Sequence, residues 1–381
     1  MNFGRWMGGS LAGVLVGLGL AVVLAGCAGP EKPKPTALAP NPALINVRLA
    51  WSARIGPVSF PLDVKVNGNT ITLASSDGIV AAIDGTTGQD VWRAQMAGAR
   101  IGAGAGSDGR YAAVVTRAND LVVLERGREI WREMLGVLAY TPPLVAGERV
   151  FVMTADRVVS AYDAQTGRRL WVYSRPGEQL LALGQAGVLT AVGDTLVVGI
   201  SGRLVGLNPL NGTLRWEAPI ATSRGTNDVE RLIDLVGRVS REGDVVCARA
   251  FQAAVGCVNT ARGTALWSKP ASGSEGVHGD AQSVFGTESD GKVIAWRRTD
   301  GERRWTSERL KYRGLTAPLV IGRSVAVGDA QGFLHLLSKQ DGTPMGRVAT
   351  DGSAIVAAPV QVGDTLVVVT HNGGVFGFRP E

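Results

Sequence analysis

Only three histidines and three cysteines occur in the 381 residues, so few side chains are available to hold a metal or shuttle a proton. His278, His335 and His371 stand in separate segments with no ligand spacing between them, and they read as isolated polar or core residues. No HExxH, P-loop or G-x-S-x-G pattern is present. The glycine cluster GAGAG at 102–106 runs into YAAVVT, a strand, and so lacks the helix N-terminus that would face a phosphate. Cys247 and Cys257 sit in DVVCARAFQAAVGCVN. A hairpin turning near Phe251–Gln252 sets them opposite each other on adjacent strands. In an oxidising compartment they would form a disulfide; otherwise they are two small buried hydrophobes. Either role is structural, because the spacing is not that of a redox CxxC motif. The basic run RRTDGERRWTSERLKYR, 297–313, is interrupted by Asp300, Glu302 and Glu308. Alternate strand residues face opposite sides, so a solvated rim is expected there and not a polyanion site. No metal and no cofactor is expected from these residues.

The elements that would position such groups begin after a targeting segment. Arg5 and the apolar stretch LAGVLVGLGLAVVLAGC, 11–27, read as a signal peptide over residues 1–26. Leu24-Ala25-Gly26-Cys27 resembles a bacterial lipobox, which implies lipidation of Cys27 and cleavage before it. Ala28 after the cysteine favours, by the same resemblance, the outer membrane. Residues 28–43 carry prolines at 30, 33, 35, 40 and 42, which prevents helix or ladder, so 27–43 is expected to be a tether. The formal charge of +6 is a mild excess that specifies no partner.

From residue 44 the chain repeats itself. AAIDGTTGQDVW (81–92), AYDAQTGRRLW (161–171), VGLNPLNGTLRW (205–216) and VGCVNTARGTALW (255–267) are versions of one phrase. Trp51, Trp92, Trp131, Trp171, Trp216, Trp267 and Trp305 recur at a period near forty residues, and Met345 continues the series without its aromatic. Such a period indicates a propeller. Each unit reads as four short strands with a tight turn, such as Asp341-Gly342, before the last. The final unit, TLVVVTHNGGVFGFRPE, lacks its fourth strand, while LINVRLAW at 44–51 is a fourth strand without the other three. The sequence thus predicts an all-β, eight-bladed propeller over 44–381, closed by the N-terminal strand completing the last blade. Two segments break the period: PGEQLLALGQAGVL, 176–189, and ATSRGTNDVERLIDLVGRVSREG, 221–243. Loops on such a scaffold are where partners bind.

The unit A-x-D-x-x-T-G-x-x-x-W, here Ala161–Trp171, resembles the pyrroloquinoline-quinone-type propeller repeat and covers nearly all of 44–380. That resemblance brings in quinoprotein dehydrogenases or small-ligand propellers as an alternative. Those enzymes are longer and commonly carry an adjacent cysteine pair, which this chain lacks. Lipobox, tether and compact propeller together resemble the propeller lipoproteins of the outer-membrane β-barrel assembly machinery (the BAM complex). The resemblance implies a non-enzymatic scaffold facing the periplasm that docks on the POTRA domains of BamA, works beside the other BAM subunits, and assists folding of outer-membrane client proteins. It also implies contact residues in the two irregular segments. In the first, Leu180 and Gly184 match the family pattern, with Leu181 and Leu183 between them. In the second, Arg231, Leu232 and Asp234 match, Glu230 is conservative, and Val236 stands where the pattern has Asp. Leucines on a short connection would supply an exposed anchor, and Arg231 and Asp234 a polar rim.

Overall fold

The computed structural model describes residues 33–175, 183–222 and 233–381. Within it Thr36–Glu381 form one compact unit. Eight four-stranded antiparallel sheets stand as blades around an axis, and no helix occurs among the described residues. Blade 1 is typical: Lys65–Asn67, Thr70–Ala74, Ile79–Asp84 and Asp90–Gln95 run outward in sequence order. The innermost strands have three residues in blades 1, 3, 6, 7 and 8, where the sheets converge on the axis, whereas those of blades 2 and 5 run seven and eight. Middle strands are covered on both faces by neighbouring blades and lose the hydrophobic alternation of one-sided sheets; Tyr111–Thr116 is buried at every position. Outermost strands such as Asp90–Gln95 alternate exposed and half-buried residues.

The repeated phrase turns out to be a joint between blades. The tryptophan on each outer strand reaches into the next blade and lies under the glycine of that blade's last turn. This holds for seven junctions, Trp51 under Gly88 through Trp305 under Gly342. At Gly301 the backbone has φ +71°, and a β-carbon there would lie 2.4 Å from Cε3 of Trp267. Glycine is therefore required twice over, for the left-handed turn and for the ring pressed against it. The turn's aspartate or asparagine accepts backbone N–H groups, as Asp163 Oδ1 does from Thr166 at 2.8 Å. Five indoles also donate into the neighbouring corner: Trp51 to Gly85 O (3.1 Å), Trp131 to Ala164 O (2.8 Å), Trp171 to Pro209 O (3.0 Å), Trp267 to Arg298 O (2.7 Å) and Trp305 to Lys339 O (3.0 Å).

The eighth junction explains Met345. Blade 8 consists of Val360–Val362, Thr365–Val369, Gly374–Pro380 and the N-terminal strand Val47–Arg54, paired from Val47↔Pro380 to Arg54↔Gly374. Its outer corner is made of two chain ends, so there is no glycine turn for a seventh-blade tryptophan to enter. In its place the backbone N–H groups of Leu44 and Ile45 donate to Met345 O at 2.8 and 3.0 Å. The strand therefore begins three residues later than the expected 44–51 and runs three further.

Residues 36–43 of the proline-rich segment are also bound to the ring, where the sequence predicts a tether. Thr36 N–H donates to Lys311 O (3.0 Å), and Arg313 Nη1 to Thr36 O (3.1 Å). Arg347 Nη1 donates to Ala39 O (3.2 Å), and Asn41 Nδ2 to Arg347 O (3.0 Å). Leu38 packs on the cluster containing Phe285, Leu310 and Leu315. An extended proline-rich chain keeps its carbonyls unpaired, and here arginines collect them.

Gly301→Ala is expected to destabilise the ring by about 2–4 kcal/mol, combining the left-handed penalty with overpacking against Trp267. Thermal unfolding followed by circular dichroism measures it. A change under about 0.5 kcal/mol, the level of an ordinary surface substitution, would contradict the joint.

Candidate docking face and axial channel

Connections from each blade's outer strand to the next blade's inner strand all emerge on one end of the ring. The two irregular segments are such connections, leading from blade 3 to 4 and from blade 4 to 5. Leu180, Leu181, Glu230, Arg231 and Leu232 lie outside the described residues, as does Cys27. The described flanks meet: Gly187 and Val236 form an isolated antiparallel bridge, and Gly237 N–H donates to Ala186 O at 2.8 Å. Gly187 N–H also donates to Thr141 Oγ1 (2.9 Å), fixing the first segment to the connection before it.

Asp234 joins these flanks, in a role other than the exposed rim expected from sequence. Its Oδ2 accepts Leu183 N–H at 3.0 Å, and its Oδ1 accepts Nε and Nη2 of Arg157 at 3.1 and 2.9 Å. The structure thus brings two expected contact residues, Leu183 and Asp234, together on one carboxylate. They border a dimple of about 40 Å³ whose wall includes Tyr140, Met153, Arg157 and Leu235. Arg157, from the third blade, carries no motif and escapes a reading by resemblance. Its one sequence signal is an arginine in a turn that other blades end with glycine.

A channel of about 720 Å³ follows the axis, with Asp63, Lys65, Arg238, Glu275 and His278 on its wall. These charges are largely internal to the fold. Lys65 Nζ lies 2.5 Å from Asp63 Oδ2, and Arg238 Nη1 donates to Pro359 O at 2.7 Å. Glu275 is exposed on the channel wall, yet desolvation by the protein around it pushes its carboxyl above the ordinary value, against a smaller opposing pull from Arg249. His278 Nδ1 accepts Val320 N–H at 3.1 Å. Burial, aided by Arg238 and Arg298, lowers its pKa to about 3, so the ring is neutral. His335 is a buried partner of Asp329 (2.9 Å), which also holds Arg313, while His371 lies in a turn of blade 8. The histidines are thus spread through the ring as the sequence indicates.

The remaining motifs have structural employment. GAGAG lies in the inner strand Ile101–Ser107, where a β-carbon at Gly106 would fall 1.9 Å from Pro143 O, so glycine permits close backbone approach. Cys247 and Cys257 face each other across blade 5 and are joined in a disulfide. In the run 297–313, Arg297 pairs outward with Asp300 and Glu302, but Arg298 and Arg313 turn into the protein. The solvated-rim expectation fails for those two because Arg298 donates to Asp280 O (2.5 Å) and Arg313 is held by Asp329 (2.7 Å).

Comparison with known proteins now decides the family. The family described as outer membrane protein assembly factor BamB matches residues 76–307. The curated BamB of Burkholderia pseudomallei is 37% identical, covering 94% of this chain and 95% of that one. The chain belongs to the BamB family of outer membrane protein assembly factors. Among solved structures, BamB from Moraxella catarrhalis superposes with a TM-score of 0.78 at 25% identity, covering 88% of this chain and all of that one. Quinohemoprotein alcohol dehydrogenase from Comamonas testosteroni shares the fold, with a TM-score of 0.66 at 15% identity over 89% of this chain and 77% of the enzyme. Among the described residues no three of His, Cys, Asp or Glu gather into a metal-ligand set. Lys65 and Arg238 are, moreover, engaged by Asp63 and Pro359 O.

Because folded His278 resists protonation while an unfolded histidine accepts a proton near 6.5, acid favours the unfolded state from pH 6.5 down toward 3. Stability contributed by this group is complete above pH 6.5 and should fall by about 1–2 kcal/mol by pH 5. His278→Asn, which keeps an acceptor for Val320, should flatten that part of the profile. Denaturant unfolding at pH 7.5 and 5 checks this, and an unchanged slope would refute it.

Proposed function

We propose that this BamB-family chain is a non-catalytic docking subunit, lipid-anchored through Cys27 at the outer membrane and facing the periplasm. It binds the POTRA domains of BamA through segments 176–189 and 221–243, and in the BAM complex it supports folding and insertion of client proteins. The observation that carries this reading is the joining of the two irregular segments on one end of the ring, with Leu183 and Asp234 in direct contact. Two connections that break an otherwise regular repeat brace each other at their described flanks, around Leu183–Gly187 and Asp234–Gly237, and a surface with such fixed flanks docks at a smaller ordering cost. Leu180, Leu181 and Leu232 supply its apolar part by the family pattern, and Glu230 and Arg231 its polar part. Asp234 acts from beneath.

Affinity purification of the tethered chain from detergent-solubilised envelopes tests the proposal. BamA is expected to co-purify, and Leu181→Ala combined with Arg231→Ala should lower its recovery on the order of tenfold or more, as loss of a central anchor does. Undiminished recovery with a folded ring would remove these segments from the interface.

The likeness to a quinohemoprotein dehydrogenase motivates the opposing reading of a cofactor enzyme. Pyrroloquinoline quinone added with calcium should produce neither bound-cofactor absorbance after desalting nor dye-linked alcohol oxidation. Either signal would overturn the non-catalytic assignment.

A further inference from the structure

The second and third strands of each blade are joined on the docking end by a short turn, and six of these turns share one design, a residue of positive φ that donates N–H three residues back. Gly78, Asn119, Arg157, Gly291, Gly332 and Gly373 each donate N–H to the carbonyl three residues before. All six have positive φ, from 63° at Arg157 to 97° at Gly78. Four are glycine and one is asparagine, the residues that tolerate this conformation. Arg157 is the exception, an arginine where the turn favours no side chain at all. Its turn is otherwise ordinary: Thr154 N–H donates to Val158 O (3.0 Å), and Val158 N–H to Asp156 Oδ1 (3.4 Å).

The side chain gives the exception a purpose. It is only 6% exposed and meets the 16% exposed carboxylate of Asp234, 77 positions along the chain, with two nitrogens on Oδ1. The other oxygen holds Leu183 N–H. The main chain of Asp234 is fixed independently, its carbonyl accepting Phe251 N–H at 2.9 Å. One buried ion pair therefore ties the third blade to both irregular segments at once. We propose that Arg157 is a positioning residue for the docking surface: through Asp234 it sets the relative placement of the segments around Leu183 and Asp234. This rests on the docking reading above for its functional consequence, though not for its structural one. A carboxylate this enclosed, deprived of the cation that pairs with it, would draw in water, loosening both segments.

The turn itself suggests the clean variant. Arg157→Gly installs the residue used at the equivalent corner of four other blades, removing the guanidinium while relieving the backbone. The full-length chain in detergent is compared with Arg157→Gly and Arg157→Lys by three measurements: thermal melting, hydrogen exchange at 183–188 and 233–237, and recovery of BamA. Arg157→Gly should melt within a few degrees of the native chain, exchange the Leu183 and Gly237 amides on the order of tenfold faster, and recover on the order of tenfold less BamA. Arg157→Lys, which keeps the charge but not the paired geometry, should fall between. Unchanged exchange in Arg157→Gly would overturn the positioning role. Loosened segments with full BamA recovery would uphold positioning and overturn the docking reading instead. A second variant, Asp234→Asn, retains an acceptor for Leu183 and must loosen 233–237 in the same way.

Discussion

A large flat ring pressed beneath a glycine is the contact from which the architecture follows. Each blade is a small twisted sheet that could not bury its own faces. Packing against two neighbours solves this only if the angle between blades is held constant around the circle. Trp267 under Gly301, with its indole N–H on Arg298 O, defines that angle rigidly, because neither a side chain on the glycine nor a smaller ring would preserve the fit. Repeating it seven times leaves a fixed gap, and the gap is filled by joining the N-terminal strand to Gly374–Pro380.

A wheel built this way frees its connections from structural duty, and specialisation collects there. Six connecting turns keep one backbone design, and one of the six carries Arg157 where four have glycine and with it gains a bond to a distant segment. The axial channel shows the opposite tendency. Its Lys65 and Arg238 are engaged by Asp63 and Pro359 O, and a neutral His278 is committed to a backbone amide. The molecule presents one end where two connections brace each other and a channel whose Lys65, Arg238 and His278 are engaged within the fold.

Much of this could be read from the order of residues alone, because the repeat is enforced by sterics that admit few alternatives. Blade number, closing strand and the pairing positions of Cys247 and Cys257 all follow from periodicity and alternation. What escaped depends on contacts between segments remote in sequence. Asp234 looked like a surface charge because nothing nearby in the chain announces Arg157. Residues 36–43 looked unattached because proline content reports local conformation and says nothing of Arg313 or Arg347 waiting some three hundred positions later. Arg298 and Arg313 likewise turned inward for acceptors that a one-dimensional charge run cannot display.

The eighth blade has a consequence for biosynthesis. Val47 must find Pro380, so the first strand made is the last to be satisfied, and every other blade can be complete while the ring still gapes. Until the final residues arrive, that early strand keeps a bare row of amides and carbonyls, the kind of edge on which chains aggregate. The segment from Thr36 to Ile45, laid along blade 7 by its own carbonyls and amides, offers it a mooring during the wait, holding the edge beside the place where its partner will emerge.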